Sequence, residues 1–207
     1  MILKNIIQLI KAYKFSLVKV LLYELIYILK GYKGNSININ LNERITDNIP
    51  CPYLFLNRIC KFIRKNELIS VVDLGCGTGR SIFFLNKNYK INYFGIEFFQ
   101  TTYLKCRKIF EKNKNIVISN EDFMNFNFLK IENDCYFIND PLKKLEEFNI
   151  LINKILLTNN ERKKLVFFVL ININNEKLKL FKDYKLIDSF KTGIRGYYIF
   201  SNQKINE

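Results

Sequence analysis

The sequence contains no histidine. That excludes histidine-based triads, histidine general bases and histidine metal ligands. Its five cysteines, Cys51, Cys60, Cys76, Cys106 and Cys135, are scattered, odd in number and without a Cys-x-x-Cys pair. Neither a zinc site nor a disulfide framework is expected, and a reducing cytoplasm is the simplest compartment. Long apolar runs are missing as well. Lys11, Lys14, Lys19 and Glu24 interrupt the N-terminal stretch before it reaches the roughly 18 apolar residues of a membrane span. No small-residue cleavage site follows, so a secretory leader is not expected. No internal repeat and no disordered tail stand out.

What is present is a chain of 207 residues, 49% hydrophobic, with a formal net charge of +14. The length suits one domain with a full core plus an appendage. The charge points to an acidic partner, whether nucleic acid, an anionic membrane surface or an acidic protein; a compositional excess of Lys, Asn and Ile without functional meaning accounts for it equally. Residues 1–30 pattern as one long helix, dense in Ile, Leu and Val and with a mostly basic side. Two readings stand side by side: a basic amphipathic helix on an anionic membrane, and a helix packed on the domain or in a dimer. A Gly/Asn/Ser-rich linker over 31–42 follows, which divides the chain into 1–42 and a larger domain over 43–207.

The stretch around which the domain is organised runs Ser70-Val71-Val72-Asp73-Leu74-Gly75-Cys76-Gly77-Thr78-Gly79-Arg80. It reads as a short buried strand turning into a helix, with an acidic residue near the strand end and three alternate glycines at the turn. Glycines admit positive φ and let a ligand approach without meeting a Cβ, and a helix start offers unpaired amides and a positive dipole end. The dinucleotide fingerprint fails, because its third glycine would fall on Arg80. A Walker loop fails too, since no Gly-Lys-Ser/Thr follows. The remaining pattern, Asp73-x-Gly75-Cys76-Gly77-x-Gly79, resembles the first motif of the class I S-adenosylmethionine (SAM) methyltransferases. The resemblance implies that the Asp73 region binds the methionine end and that the glycines admit the ligand. Adding Arg80, and the segment Pro50-Cys51-Pro52-Tyr53 before a helix over about 53–65, the arrangement is similar to a bacterial group related to non-SET histone-lysine and ATP-synthase c-subunit lysine methyltransferases. In that group the Pro/Tyr loop lies over the methionine end, which makes Tyr53 a candidate contact. The resemblance covers roughly residues 45–142.

Later segments supply further candidates. Tyr93-Phe94-Gly95-Ile96-Glu97 reads as a second buried strand ending in a carboxylate, placed to accept both ribose hydroxyls, with Phe98 beside it to flank adenine. Ile116–Ile118 is a third strand. Asp122-Phe123 after it resembles the family's adenine clamp, Asp122 toward the exocyclic amine and Phe123 against the ring. Tyr136–Leu142 is a fourth strand and its exit, Asn139-Asp140-Pro141-Leu142. Amino-methylating enzymes often carry Asn/Asp-Pro-Pro-aromatic there; this chain lacks the second proline and the aromatic, a departure from the nucleic-acid N-methylases. Asn139 and Asp140 are the substrate-side candidates. Helices are expected over 102–114 and 142–157, a buried strand within 164–173, and a closing hairpin over 184–200.

The expected fold is α/β: a seven-stranded, mostly parallel Rossmann-like sheet with an antiparallel C-terminal hairpin, plus the N-terminal helix. The expected activity is methyl transfer from SAM, without metal, to an acceptor amine, a protein lysine first. RNA or a small molecule is the alternative acceptor, and a non-catalytic membrane- or RNA-binding module with a relic SAM fold is the alternative class. The expected location is cytoplasmic, with peripheral contact at an anionic membrane through residues 1–30.

Overall fold

Val71 and Val72 are neighbours in one strand and bury against opposite layers. That alternation recurs along the sheet and explains its continuous apolar strands: both faces are covered, so both sets of side chains must be hydrophobic. The structure, a computed structural model, describes residues 16–31, 44–46 and 50–205. The expected linker over 31–42 lies outside the described residues apart from Gly31, as do positions 1–15 of the expected N-terminal helix.

In chain order the described elements are α1 (Leu17–Leu29), α2 (Tyr53–Lys65), β1 (Ser70–Leu74), α3 (Arg80–Asn88), β2 (Asn92–Ile96), α4 (Gln100–Phe110), β3 (Ile116–Ser119), β4 (Cys135–Ile138), α5 (Leu145–Glu161), β5 (Phe167–Ile171), the single turn α6 (Asn175–Leu178), β6 (Tyr184–Thr192) and β7 (Arg195–Lys204). The sheet order is β3-β2-β1-β4-β5-β7-β6. β1 to β5 run parallel, and β7 pairs antiparallel with both β5 and β6. β1 lies between β2 and β4, where the order of the strands reverses, and in open α/β sheets that switch point opens a crevice beyond the carboxyl ends of the strands.

One layer packs α1, α2, α3 and α4 on the Val71, Tyr93, Phe137 and Val169 side. The other packs α5 on Val72, Leu74, Tyr136, Ile138 and Phe168. α2 and β1 fall where the sequence places them. α4 begins and ends earlier than expected. α5 begins three residues later than the expected helix, because Leu142 pairs as an isolated antiparallel bridge with Ile45 and the chain enters the helix only after Lys144. The turn α6 is unforeseen by the sequence reading; its local signal is Asn174, whose side chain accepts from the Lys177 amide at 2.9 Å as an N-cap.

α1 is fastened to the domain. Leu17, Val20, Tyr23 and Tyr27 turn inward, and the Tyr27 ring meets Tyr53 and Phe84 at 5.2 and 5.0 Å. α2 starts after Pro52, whose fixed φ suits the turn but whose side chain can cap nothing. The missing acceptor comes from α1: Glu24 Oε1 takes the Tyr53 amide at 2.9 Å. Of the two readings of the N-terminal helix, its described part follows the one that packs it on the domain.

Candidate functional site

The turn between β1 and α3 is built on backbone that only glycine adopts freely. Gly75, Gly77 and Gly79 have φ of 85°, 57° and 84°. They are not equivalent. A Cβ on Gly79 would meet Phe110 at 2.4 Å and the Cys106 Sγ at 2.9 Å, so Gly79 lets α4 close on the turn. A Cβ on Gly75 would meet only Pro141, at 3.6 Å. Gly75 therefore has room for a side-chain atom in ordinary contact with Pro141 and lies beside the exit of β4.

The turn's amides are largely consumed inside the protein. Gly75 and Cys76 both donate to the Ile96 carbonyl, at 2.9 and 3.1 Å, and Gly79 donates to the Cys76 carbonyl at 3.0 Å. Gly77 donates to Glu97 Oε2 at 2.8 Å. The expectation of free donors is not met at these four positions; they offer a ligand close backbone approach instead. Cys76 is buried, and its Sγ lies where a Cβ on Gly95 would clash at 2.8 Å. Its thiol is pushed up by its hydrogen bond with Cys106 and by burial.

Glu97 follows the last residue of β2 and is 5% exposed. Besides Gly77 it accepts the Phe99 amide on Oε1 at 2.9 Å. Burial raises its pKa, opposed by the hydrogen bonds from the backbone of Phe99, Gly77 and Phe98. A carboxylate has about four lone-pair sites, so with three backbone donors about one remains for a ligand. Phe98 is 41% exposed, an open aromatic ring next to that carboxylate. The Asn120 side chain, which the sequence reading passed over, donates to the carbonyls of Glu97 and Phe98 at 2.8 and 3.0 Å and fixes this corner from β3's side.

Asp73 lies below the turn, 2% exposed. Its Oδ2 accepts from the Ser81 and Tyr93 hydroxyls, both at 2.6 Å, which ties β1 to α3 and β2. Burial pushes its carboxyl up to about 6, against the two hydroxyls, which pull it down.

The exit of β4 forms the opposite wall. Asp140 has a φ of 37°, a left-handed conformation that strains a non-glycine residue. It is held there on both sides. The buried Lys177 Nζ pairs with its Oδ1 at 2.5 Å and also donates to the Leu142 carbonyl, while the Thr46 hydroxyl donates to the Asp140 carbonyl. Burial raises the Asp140 pKa and Lys177 opposes the rise. Asn139 Oδ1 accepts from Asn172 Nδ2 at 2.9 Å. The Asn172 Oδ1 is buried and has no partner among the described residues. Lys177 gave no sequence signal, since it lies about 37 residues beyond its partner in a turn the pattern did not predict.

Besides the buried Asp73 and Cys76 and the closely packed Gly79, three further candidates fall differently from expectation. Tyr53 is 1% exposed, enclosed by Tyr27, Phe84 and the Arg80 guanidinium, which stacks 3.8 Å above its ring centroid. It braces the turn through Arg80 and has no open face for a substrate. Arg80 in turn pairs with Glu24 Oε2 at 2.5 Å. Phe123 is 4% exposed among the apolar side chains under α5, so Phe98 is the accessible ring. Asp122 is engaged by Arg44, Nη1 to Oδ2 at 2.7 Å and Nη2 to Oδ1 at 3.2 Å, and accepts the Met124 amide at 2.9 Å. About one acceptor site remains on it.

The structure thus gathers Gly75, Gly77, Glu97, Phe98, Asn139 and Asp140 just beyond the carboxyl ends of β1, β2 and β4, and buries Asp73, Tyr53 and Phe123. Among the described residues no group of His, Cys, Asp and Glu could hold a metal ion.

No protein-family model matches the chain, and no curated protein matches it. Solved structures do. An RNA methyltransferase from Salinibacter ruber, in complex with S-adenosyl-L-homocysteine, superposes with a TM-score of 0.58 at 14% identity, covering 74% of this chain and 93% of the other. The N-methyltransferase NodS from Bradyrhizobium japonicum gives 0.55 at 8% identity, covering 73% and 98%. Magnesium protoporphyrin IX methyltransferase from Synechocystis, with bound SAM, gives 0.54 at 10% identity, covering 70% and 76%. At these identities the likeness establishes the fold: a Rossmann-like methyltransferase fold, with its mostly parallel seven-stranded sheet and antiparallel C-terminal hairpin.

Proposed function

We propose that the chain is a SAM-dependent methyltransferase acting on an amine, a protein lysine in the first instance. The observation that carries this reading is the buried Glu97 carboxylate clasping the Gly77 amide of an open glycine turn, with Asn139 and Asp140 at the neighbouring strand exit. The residues present suit the cofactor. Glu97 keeps about one acceptor site for a ribose hydroxyl, Phe98 offers a ring face to adenine, Asp122 keeps about one acceptor site for its amine, and Gly75 leaves room above the turn. Asp73 positions the turn from below. When bound, SAM supplies a methyl group already activated on a sulfonium, so the chemistry asks the protein mainly for alignment.

On the acceptor side the protein has to hold a nitrogen with its lone pair free. A lysine ammonium must first lose its proton to solvent, which a poorly solvated site favours because it destabilises the charged form. The side-chain oxygen of Asn139 and the strained backbone at Asp140 are the groups set to orient it. Within the wider fold, the resemblance to the non-SET histone-lysine and c-subunit lysine group, together with the missing second proline after Asp140, favours a protein over a nucleic-acid acceptor.

Calorimetry on the folded full chain tests the cofactor: SAM and S-adenosylhomocysteine should bind in the micromolar range, roughly −7 to −8 kcal/mol. Binding of neither ligand sinks the proposal. Incubation with radiolabelled SAM and whole-cell extract tests the acceptor. Label removed by protease but not by ribonuclease supports a protein; the reverse assigns RNA; label in neither polymer assigns a small molecule. Affinity for SAM with no transfer to any fraction leaves a relic binding fold.

A further inference from the structure

We propose that the outward face of α1 docks on the surface of an anionic phospholipid membrane. The proposal stands on α1 itself and does not depend on the methyl-transfer reading.

A helix lying on a globular domain normally puts its apolar stripe inward and its polar residues outward. α1 does the inner half of this and reverses the outer half. Inward go Leu17, Val20, Tyr23, Glu24 and Tyr27. Outward go Val18, Leu21, Leu22, Leu25, Ile26, Ile28 and Leu29, with Val18 and Leu29 more than three-quarters exposed. Lys19 is the one polar residue among them. A single exposed leucine is ordinary, but a continuous aliphatic strip marks an interaction surface.

The charges select the partner. Glu24 is the only acidic residue in the first 42 positions, and the structure turns it inward onto Arg80 and the Tyr53 amide. The outward face therefore carries no negative charge. Its margins carry Lys19 and Lys30, and Lys87 of α3 joins them by donating to the Lys30 carbonyl at 3.1 Å. The preceding sequence adds Lys4, Lys11 and Lys14 and no acid. A second copy of this face would set lysines against lysines with no carboxylate between them. An anionic leaflet answers both features, with acyl chains for the aliphatic strip and phosphates for the ammonium groups.

The geometry also fixes the mode. The 13-residue helix is about 20 Å long, short of the roughly 30 Å hydrocarbon core, and among the described residues no helix is long and apolar enough to cross a membrane. α1 would lie in the interface plane. Glu24 places its middle at the glycine-turn end of the domain and Lys30 places its end near the far end of α3, so docking brings the crevice close to the lipid surface.

Vesicle flotation tests this with the full chain, using phosphatidylcholine alone and phosphatidylcholine mixed with phosphatidylglycerol. The chain should float with the mixed vesicles, remain at the bottom with the neutral ones, and be partly released by high salt, because screening weakens the attraction. The double variant Leu21→Asp, Leu25→Asp changes two half-exposed outward positions, so it should fold and bind SAM as the wild type does while flotation falls at least about ten-fold. The proposal is overturned if the wild type ignores the mixed vesicles or if the double variant floats equally well. It is also overturned if ultracentrifugation shows a dimer that the two substitutions disperse while vesicles leave the wild type behind; the face is then a self-interface.

Discussion

The Glu97 carboxylate holds the Gly77 amide at 2.8 Å, so the residue proposed to receive a ribose also shapes the glycine turn. Glu97→Ala should therefore act twice. It removes hydrogen bonds to a charged acceptor, which should weaken SAM and S-adenosylhomocysteine by about 1–3 kcal/mol, and it leaves the Gly77 donor unsatisfied, which should lower thermal stability by a similar amount. Glu97→Gln retains one oxygen acceptor and should lose less of both. Calorimetry and melting curves on the two variants separate the effects. Unchanged affinity in Glu97→Ala would remove this residue from the ligand site.

Gly75 and Gly79 share nearly the same φ but differ in surroundings, and this gives a sharp contrast. Gly75→Ala meets only the left-handed backbone penalty, on the order of 1–2 kcal/mol. Gly79→Ala adds a clash with Phe110 and Cys106, and overpacking of that kind costs about 1–3 kcal/mol more. Urea unfolding should rank Gly79→Ala clearly below Gly75→Ala. SAM affinity should rank the other way among molecules still folded, since a methyl on Gly75 enters the open crevice. Equal stability losses would contradict the assignment of Gly79 to helix packing.

Much of this was legible in the sequence, and the boundary has a physical cause. β1, the turn and α2 were readable because their signals are local: apolar β-branched runs, alternate glycines, and a 3.6-residue apolar period. The place of Glu97 at the end of β2 was readable because its offset from the turn is fixed by one helix and one strand. What escaped were partnerships between distant segments. Arg44 on Asp122, Lys177 on Asp140 and Glu24 on Arg80 each join residues more than thirty positions apart, and no local pattern announces them. Tyr53, which the resemblance puts over the ligand, is likewise set by tertiary packing, which encloses its ring beneath Arg80.

Asp73 makes stability depend on pH in a definite direction. Its folded-state pKa is raised to about 6, above an unfolded value of about 4. Between those values the folded protein holds a proton that the unfolded chain has released. This contribution is therefore fully present below about pH 4 and is lost as pH rises through about 6. The loss is on the order of 2–3 kcal/mol. Asp73→Asn cannot titrate and its side-chain oxygen can still accept from Ser81 or Tyr93. The stability of wild type relative to this variant should fall as pH rises across that window. A difference that is flat with pH would show that Asp73 ionises normally in the folded protein.

The Asp140–Lys177 pair predicts separation of folding from cofactor binding. Lys177→Met strands a mostly buried carboxylate beside strained backbone, and removing one partner of such a pair costs about 3–5 kcal/mol; with its side chain still 23% exposed, Asp140 should fall at the low end. Adding Asp140→Asn should recover part of the loss, because no charge then remains unpaired. Asn139→Ala lies next door but leaves the pair intact. It should lower turnover on the true acceptor while SAM affinity stays within a few-fold. An unchanged turnover number would take Asn139 off the acceptor side.

Glu24 decides whether α1 belongs to the domain or hangs from it. Its two oxygens serve the Arg80 guanidinium and the Tyr53 amide, so one carboxylate closes an orphan helix donor and neutralises a cation at the positive end of α3. Glu24→Ala should cost about 2–3 kcal/mol through lost charge-assisted hydrogen bonds, and for a chain of this size that lowers the melting temperature by about 4–12 °C. A chain beginning at Leu41 should melt lower still, because it also uncovers the rings of Tyr53 and Phe84 that Tyr27 covers. A tethered appendage predicts otherwise: both variants would melt with the wild type. Calorimetric scans of the three proteins at one pH and salt separate the cases, and a Glu24→Ala trace that overlays the wild type would detach α1 from the fold.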